Sequence, residues 1–126
     1  MKIIISISGL IFILLYMTIP VAIAHDATIR NLAGIIMHLN HYPSDAEKHE
    51  LKAIASDKHV TQGERILASA LMNMQHSVGG DDATALRALA ANKDASQSER
   101  ELADILLGIH HHPSANDQQR LKSLSN

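Results

Sequence analysis

The chain repeats itself at an offset of 35 residues, and this repetition constrains its fold more than any other feature. Shifting the sequence by that offset aligns three units, which run over residues 26–60, 61–95 and 96–126. Five positions are identical in all units: Arg30, Arg65 and Arg100; Leu32, Leu67 and Leu102; Ala33, Ala68 and Ala103; His41, His76 and His111; Leu51, Leu86 and Leu121. A short unit that cannot bury its apolar stripe alone does so by stacking against its copies.

Each unit predicts a first helix that ends near the repeated histidine. These helices are expected to open at Asp26, Thr61 and Ser96, and the last two caps are followed by Glu64 and Glu99 in capping-box spacing. Apolar residues then recur at helical spacing, and the opposite side stays polar. Sequences that break helices follow in each unit: Tyr42-Pro43-Ser44, Val78-Gly79-Gly80 and His112-Pro113-Ser114.

A shorter second helix is predicted after each of these breaks. Ser44 precedes Glu47 by three residues, and Ser114 precedes Asp117 in the same way, which favours helix starts at both places. We therefore expect an all-α fold of three stacked helix-turn-helix repeats, with six helices in a right-handed stack. The period and the unit resemble the tetratricopeptide and Sel1-like families of α-hairpin solenoids, at the level of class. That resemblance implies a scaffold whose concave surface binds a protein or peptide.

Residues 1–24 have the order of a secretory signal peptide. Lys2 precedes a long apolar run, and Ala22-Ile23-Ala24 provides the small residues that a signal peptidase reads. An uncleaved membrane anchor is the alternative, because the run is almost long enough to span a bilayer. We expect cleavage after Ala24, a domain over residues 25–126, and a periplasmic or secreted location.

Composition excludes several classes of function. The chain has no cysteine, a formal charge of -2 and three aromatic residues, of which only Tyr42 lies beyond the signal segment. Thiol catalysis and zinc–thiolate sites are therefore excluded, and sites that stack bases or grip a phosphate backbone are not expected. No catalytic motif is present, so we predict a binding protein rather than an enzyme.

The repeated polar residues suggest a surface for a protein or peptide partner. This surface would consist of Arg30, Arg65, Arg100, His41, His76 and His111. A row of guanidinium groups can hold carboxylates of a bound peptide. The structural alternatives are ion pairs between the arginines and acidic residues such as Glu47, Glu64, Asp82 or Glu99, and histidines that support the turns.

The histidines also suggest a second function, the binding of copper, nickel or zinc. All nine lie beyond residue 24, and imidazole is a common ligand of these metals. The candidate ligands are His25, His38, His41, His110, His111 and His112. His25 would become the N-terminal residue after cleavage, and His38 and His41 have a spacing that can share a helix face. Alternatively, the histidines are simply exposed polar side chains.

Overall fold

Six helices form the part of the chain that the computed structural model describes, residues 21–126, with side chains from residue 25 onward. They are α1 (Val21–Met37), α2 (Asp45–Ser56), α3 (Gln62–Met72), α4 (Gly80–Ala91), α5 (Gln97–Gly108) and α6 (Ala115–Leu124). The described part contains no β-strand. The predicted all-α fold of three helix-turn-helix repeats is confirmed. Residues 1–20 lie outside the described part, so the signal peptide remains a prediction.

The predicted helix starts agree with the structure in the second and third units. Thr61 and Ser96 are the N-caps of α3 and α5, and each forms a complete capping box with Glu64 or Glu99. In a capping box, side chain and backbone satisfy donors that the helix leaves unpaired. The first unit differs, because α1 begins at Val21 rather than near Asp26.

The three units pack as a closed ring. Each second helix packs mainly against the first helix of the next unit, so that α2 contacts α3, α4 contacts α5, and α6 returns to α1. The three first helices, α1, α3 and α5, pack against one another in the centre. The last unit therefore contacts the first, a closure that the repeat pattern alone does not predict.

The identical apolar positions form the core of this ring. Leu32, Leu67 and Leu102 are fully buried on the inner helices, and each second helix buries one repeated leucine. Burying a leucine side chain contributes about 1.5–3 kcal/mol, so these positions account for much of the stabilisation. None of the helices in residues 21–126 is long and apolar enough to cross a membrane. The three pseudo-equivalent units place equivalent residues around one axis, which determines the geometry of the site below.

Candidate metal centre

The candidate site lies in the three turns that follow the inner helices. His41, His76 and His111 occupy these turns with φ angles of 71°, 66° and 73°. This left-handed conformation is uncommon for residues other than glycine, although histidine, asparagine and aspartate adopt it more readily than most. In the described part of the chain, these three histidines are the non-glycine residues with positive φ.

The main chains of these histidines form a closed ring of hydrogen bonds. The His41 amide donates to the His111 carbonyl at 2.7 Å, the His76 amide to the His41 carbonyl at 3.0 Å, and the His111 amide to the His76 carbonyl at 2.7 Å. The turns thus join all three units through backbone groups. The structural alternative was that the histidine side chains support the turns, and here the main chain links them.

The imidazole rings of the same residues converge. Their centroids are 4.9–5.1 Å apart. One nitrogen of each ring can be chosen so that all three nitrogens lie within 4.8 Å of one another. The Nδ1 atoms of His76 and His111 are 3.1 Å apart, and the buried Nδ1 of His41 has no hydrogen-bond partner among the described residues. We call these three imidazoles the histidine triad.

The triad is open to solvent, and the surroundings of His111 favour its neutral imidazole. His76 and His111 are exposed, whereas His41 is half-buried. Desolvation and the neighbouring imidazoles of His76 and His41 lower the pKa of His111 below its ordinary value. A neutral imidazole has a free nitrogen lone pair, which is the form that binds a metal ion.

This arrangement matches the ligand set of a three-histidine metal site. Zinc binds imidazole nitrogen at about 2.0–2.1 Å, which for tetrahedral geometry separates two ligand nitrogens by roughly 3.3 Å. Nδ1 of His76 and Nδ1 of His111 are 3.1 Å apart, close to this spacing, and a nitrogen of His41 lies within 4.8 Å of the other two ligand nitrogens. Imidazole also suits copper and nickel, and three protein ligands leave further coordination positions open.

The structure brings together only some of the histidines that the sequence suggested as ligands. His41 and His111 belong to the triad, and His76, which was predicted only as a partner-binding residue, completes it. Since α1 ends at Met37, His38 and His41 do not share a helix face, and His38 Nδ1 instead lies 2.9 Å from the Gly34 carbonyl.

The neighbours of His111 also stay outside the triad. His112 Nδ1 lies 3.2 Å from the Pro113 carbonyl, and His110 is exposed in the same turn. The register of the repeat could have indicated the third member of the triad, because His76 is the equivalent of His41 and His111.

His25 lies in a different cluster, at the N-terminal ends of the inner helices. Its Nδ1 is 2.7 Å from Oε1 of the buried Glu64, and its Nε2 is 3.2 Å from Ser96 Oγ. The Thr61 hydroxyl donates to the carboxylate of Glu99, which is also buried. The first unit has Ile29 where the others have these glutamates, so His25 supplies the polar contacts that this unit otherwise lacks.

The electrostatics of this second cluster keep Glu99 ionised. Burial alone would raise its pKa, but hydrogen bonds from Thr61 and Ser96, together with the charge of His25, bring the pKa below its ordinary value. A buried carboxylate that accepts several hydrogen bonds is stabilised in its charged form. The cluster is therefore a satisfied polar network that connects the three inner helices.

Two of the three repeated arginines donate hydrogen bonds to the backbone, whereas the buried Nε of Arg100 has no hydrogen-bond partner among the described residues. Arg30 Nε donates to the Asp26 carbonyl at 3.3 Å, and Arg65 Nη1 donates to the carbonyls of Asp57 and Val60. The ion pairs within residues 25–126 involve His25 and Arg120 instead. Among the described residues the alternative ion pairs between the repeated arginines and acidic side chains are not found, and a role for these arginines in partner binding stays a prediction.

Comparison with protein-family models, curated proteins and solved structures found no match to this chain. The resemblance to tetratricopeptide and Sel1-like repeats therefore also stays a prediction. Any assignment of function depends on the geometry of the site itself.

Proposed function

We propose that this protein binds a divalent transition metal ion, copper(II), nickel(II) or zinc, through His41, His76 and His111. The observation that carries the proposal is the convergence of three imidazoles, one from each unit, with ligand nitrogens within 4.8 Å of one another. The metal ion would lie near the axis that relates the three units. Each unit would then contribute one ligand, and the ion would link all three.

The backbone conformation of the triad supports this proposal. A left-handed conformation costs an L-residue about 1–2 kcal/mol, and glycine would avoid this cost. The chain nevertheless has histidine at all three equivalent turns. Strained residues of this kind occur often at functional sites, where the side chain serves a purpose that glycine cannot. Metal coordination gives a physical reason for an imidazole at each position.

Residues 1–24, predicted to be an export signal, would direct this activity to the periplasm or the outside of the cell. A chain with no cysteine relies on imidazole and carboxylate ligands, which suit copper(II), nickel(II) and zinc. We therefore propose metal binding or buffering as the role of the exported protein.

Calorimetric titration of the purified protein with copper(II), nickel(II) and zinc at neutral pH tests the proposal. We expect one ion per chain and a dissociation constant below about 1 μM, which corresponds to roughly 8 kcal/mol. The test variant replaces all three triad histidines with asparagine, since asparagine tolerates the left-handed turn but provides no imidazole. This variant should fold and lose the tight site.

A matched control replaces three other histidines with asparagine, namely His38, His49 and His59, all of which are exposed. It removes the same number of imidazoles and should keep wild-type affinity. Equal binding by the two variants would contradict the proposal, as would tight binding that survives in the triad variant. A His25→Ala variant separates the triad from chelation by a new N-terminal histidine, because only the latter depends on His25.

A further inference from the structure

One groove beside the triad combines several polar groups. It lies between the first and second units, has a volume of about 430 Å³ and is lined by Tyr42, Lys48, Met72, Asn73, Met74, Gln75 and His76. It thus contains one histidine of the triad together with a cation and two carboxamides.

The lysine and the tyrosine of this groove occur in the first unit but not at the equivalent positions of the other two. The equivalents of Lys48 are Ala83 and Gln118, and the equivalents of Tyr42 are Ser77 and His112. The Gln118 amide donates to the Met37 carbonyl at 2.9 Å and so is already used within the protein. At this position of the repeat, therefore, only the first unit has a positive charge.

Lys48 is positioned to meet an anion from solvent. Its ammonium lies 5.3 Å from the centroid of the Tyr42 ring, an aromatic side chain that is 57% exposed. The ion pairs found within residues 25–126 do not include Lys48. The cation–π contact holds the ammonium in place without neutralising its charge. A half-buried cation without a carboxylate partner, next to a metal site, attracts a negatively charged ligand.

We infer that this groove and the open side of the metal site together bind a small organic carboxylate. One carboxylate oxygen would occupy a coordination position that the three histidines leave free, since carboxylate oxygen is an ordinary ligand of zinc at about 2.0–2.2 Å. Lys48 and the Gln75 amide would bind the remaining oxygens of the molecule. This inference depends on the proposed metal binding and adds the class of ligand that the site accepts.

Cobalt(II) provides a spectroscopic probe for the test, because a change of its ligands changes its visible absorption. The cobalt-loaded protein is titrated with succinate, with succinamide as an uncharged analogue and with inorganic phosphate as a different anion. We expect a saturable spectral change with succinate, no change with succinamide, and at least tenfold weaker binding of phosphate. Lys48→Ala should weaken succinate binding three- to tenfold and leave cobalt affinity unchanged.

Lys52→Ala is the matched control, since Lys52 is an exposed lysine of the same helix that does not line the groove. It should bind succinate as the wild type does. An unchanged cobalt spectrum at high succinate concentration would overturn the inference, and so would equal loss of affinity in the two lysine variants or equal affinity for phosphate. These results would leave the proposed metal binding intact, whereas failure to bind cobalt would overturn both.

Discussion

The left-handed turns allow a test in which the sign of a mutational effect reverses between two sites. At His76, where φ is 66°, glycine should give a more stable protein than alanine. At His49, an exposed residue inside α2, alanine should be the better residue. The two variants at each site remove the same imidazole, so the difference in stability between them reports the effect of the backbone.

The magnitude follows from opposing backbone terms. Alanine at His76 retains the left-handed strain of about 1–2 kcal/mol, and glycine removes it. Glycine in turn gains about 0.5–1 kcal/mol of extra entropy in the unfolded chain. In the absence of metal, the free energy of unfolding of His76→Gly should therefore exceed that of His76→Ala by about 0.5–1 kcal/mol. In α2, His49→Gly should be less stable than His49→Ala by about 1 kcal/mol. The exposure of both histidines keeps the loss of packing small.

Urea unfolding of the four metal-free variants, followed by circular dichroism, gives these differences directly. A difference of 1 kcal/mol in a domain of this size also shifts the melting temperature by about 4–8 °C. If His76→Gly were less stable than His76→Ala, the turn would not have the left-handed conformation, and the argument that an imidazole is retained there against strain would fail.

Two further predictions concern the polar cluster at the other end of the inner helices. His25→Ala should destabilise the protein by roughly 1–3 kcal/mol, because it removes the imidazole that contacts Oε1 of the buried Glu64 carboxylate, although the Thr61 amide still donates to Oε2. His59→Ala in an exposed loop should change stability by less than about 0.5 kcal/mol. Equal effects in urea unfolding would mean that the cluster contributes nothing. Gly63→Ala should lower the free energy of unfolding by about 1–3 kcal/mol, because the new Cβ would overlap the Glu99 carboxylate. Gly34→Ala, with open space around it in α1, should raise the free energy of unfolding by about 0.5–1 kcal/mol. If both substitutions changed the melting temperature in the same direction, the close approach at Gly63 would be refuted.

Local features of the fold could be predicted from the sequence because they depend on near neighbours. The capping boxes at Thr61 and Ser96 place two helix starts correctly, since the cap and its glutamate lie three residues apart. The repeated leucines predict the core because a repeat places the same face inward each time. The early start of α1 was missed, because the first helix of the first unit has no capping box like those before α3 and α5.

The closure of the ring could not be predicted in the same way. Open and closed arrays of hairpins have the same periodicity, and they differ only in whether α6 meets α1. The triad depends on that closure, because His41 and His111 are brought together only when the first and last units touch. For this reason the candidate ligands predicted from the sequence are scattered over the chain and do not include His76.

The ring of backbone hydrogen bonds also limits how a protein of this kind can evolve. A linear array lengthens by duplicating a unit, since its terminal repeats have free faces. Here the amide of each triad histidine already donates to the carbonyl of another, so the ring contains no free end. A fourth copy would have to break one of these bonds and move the imidazoles apart. The closed ring thus accommodates three repeats, the same number as the metal ligands proposed here.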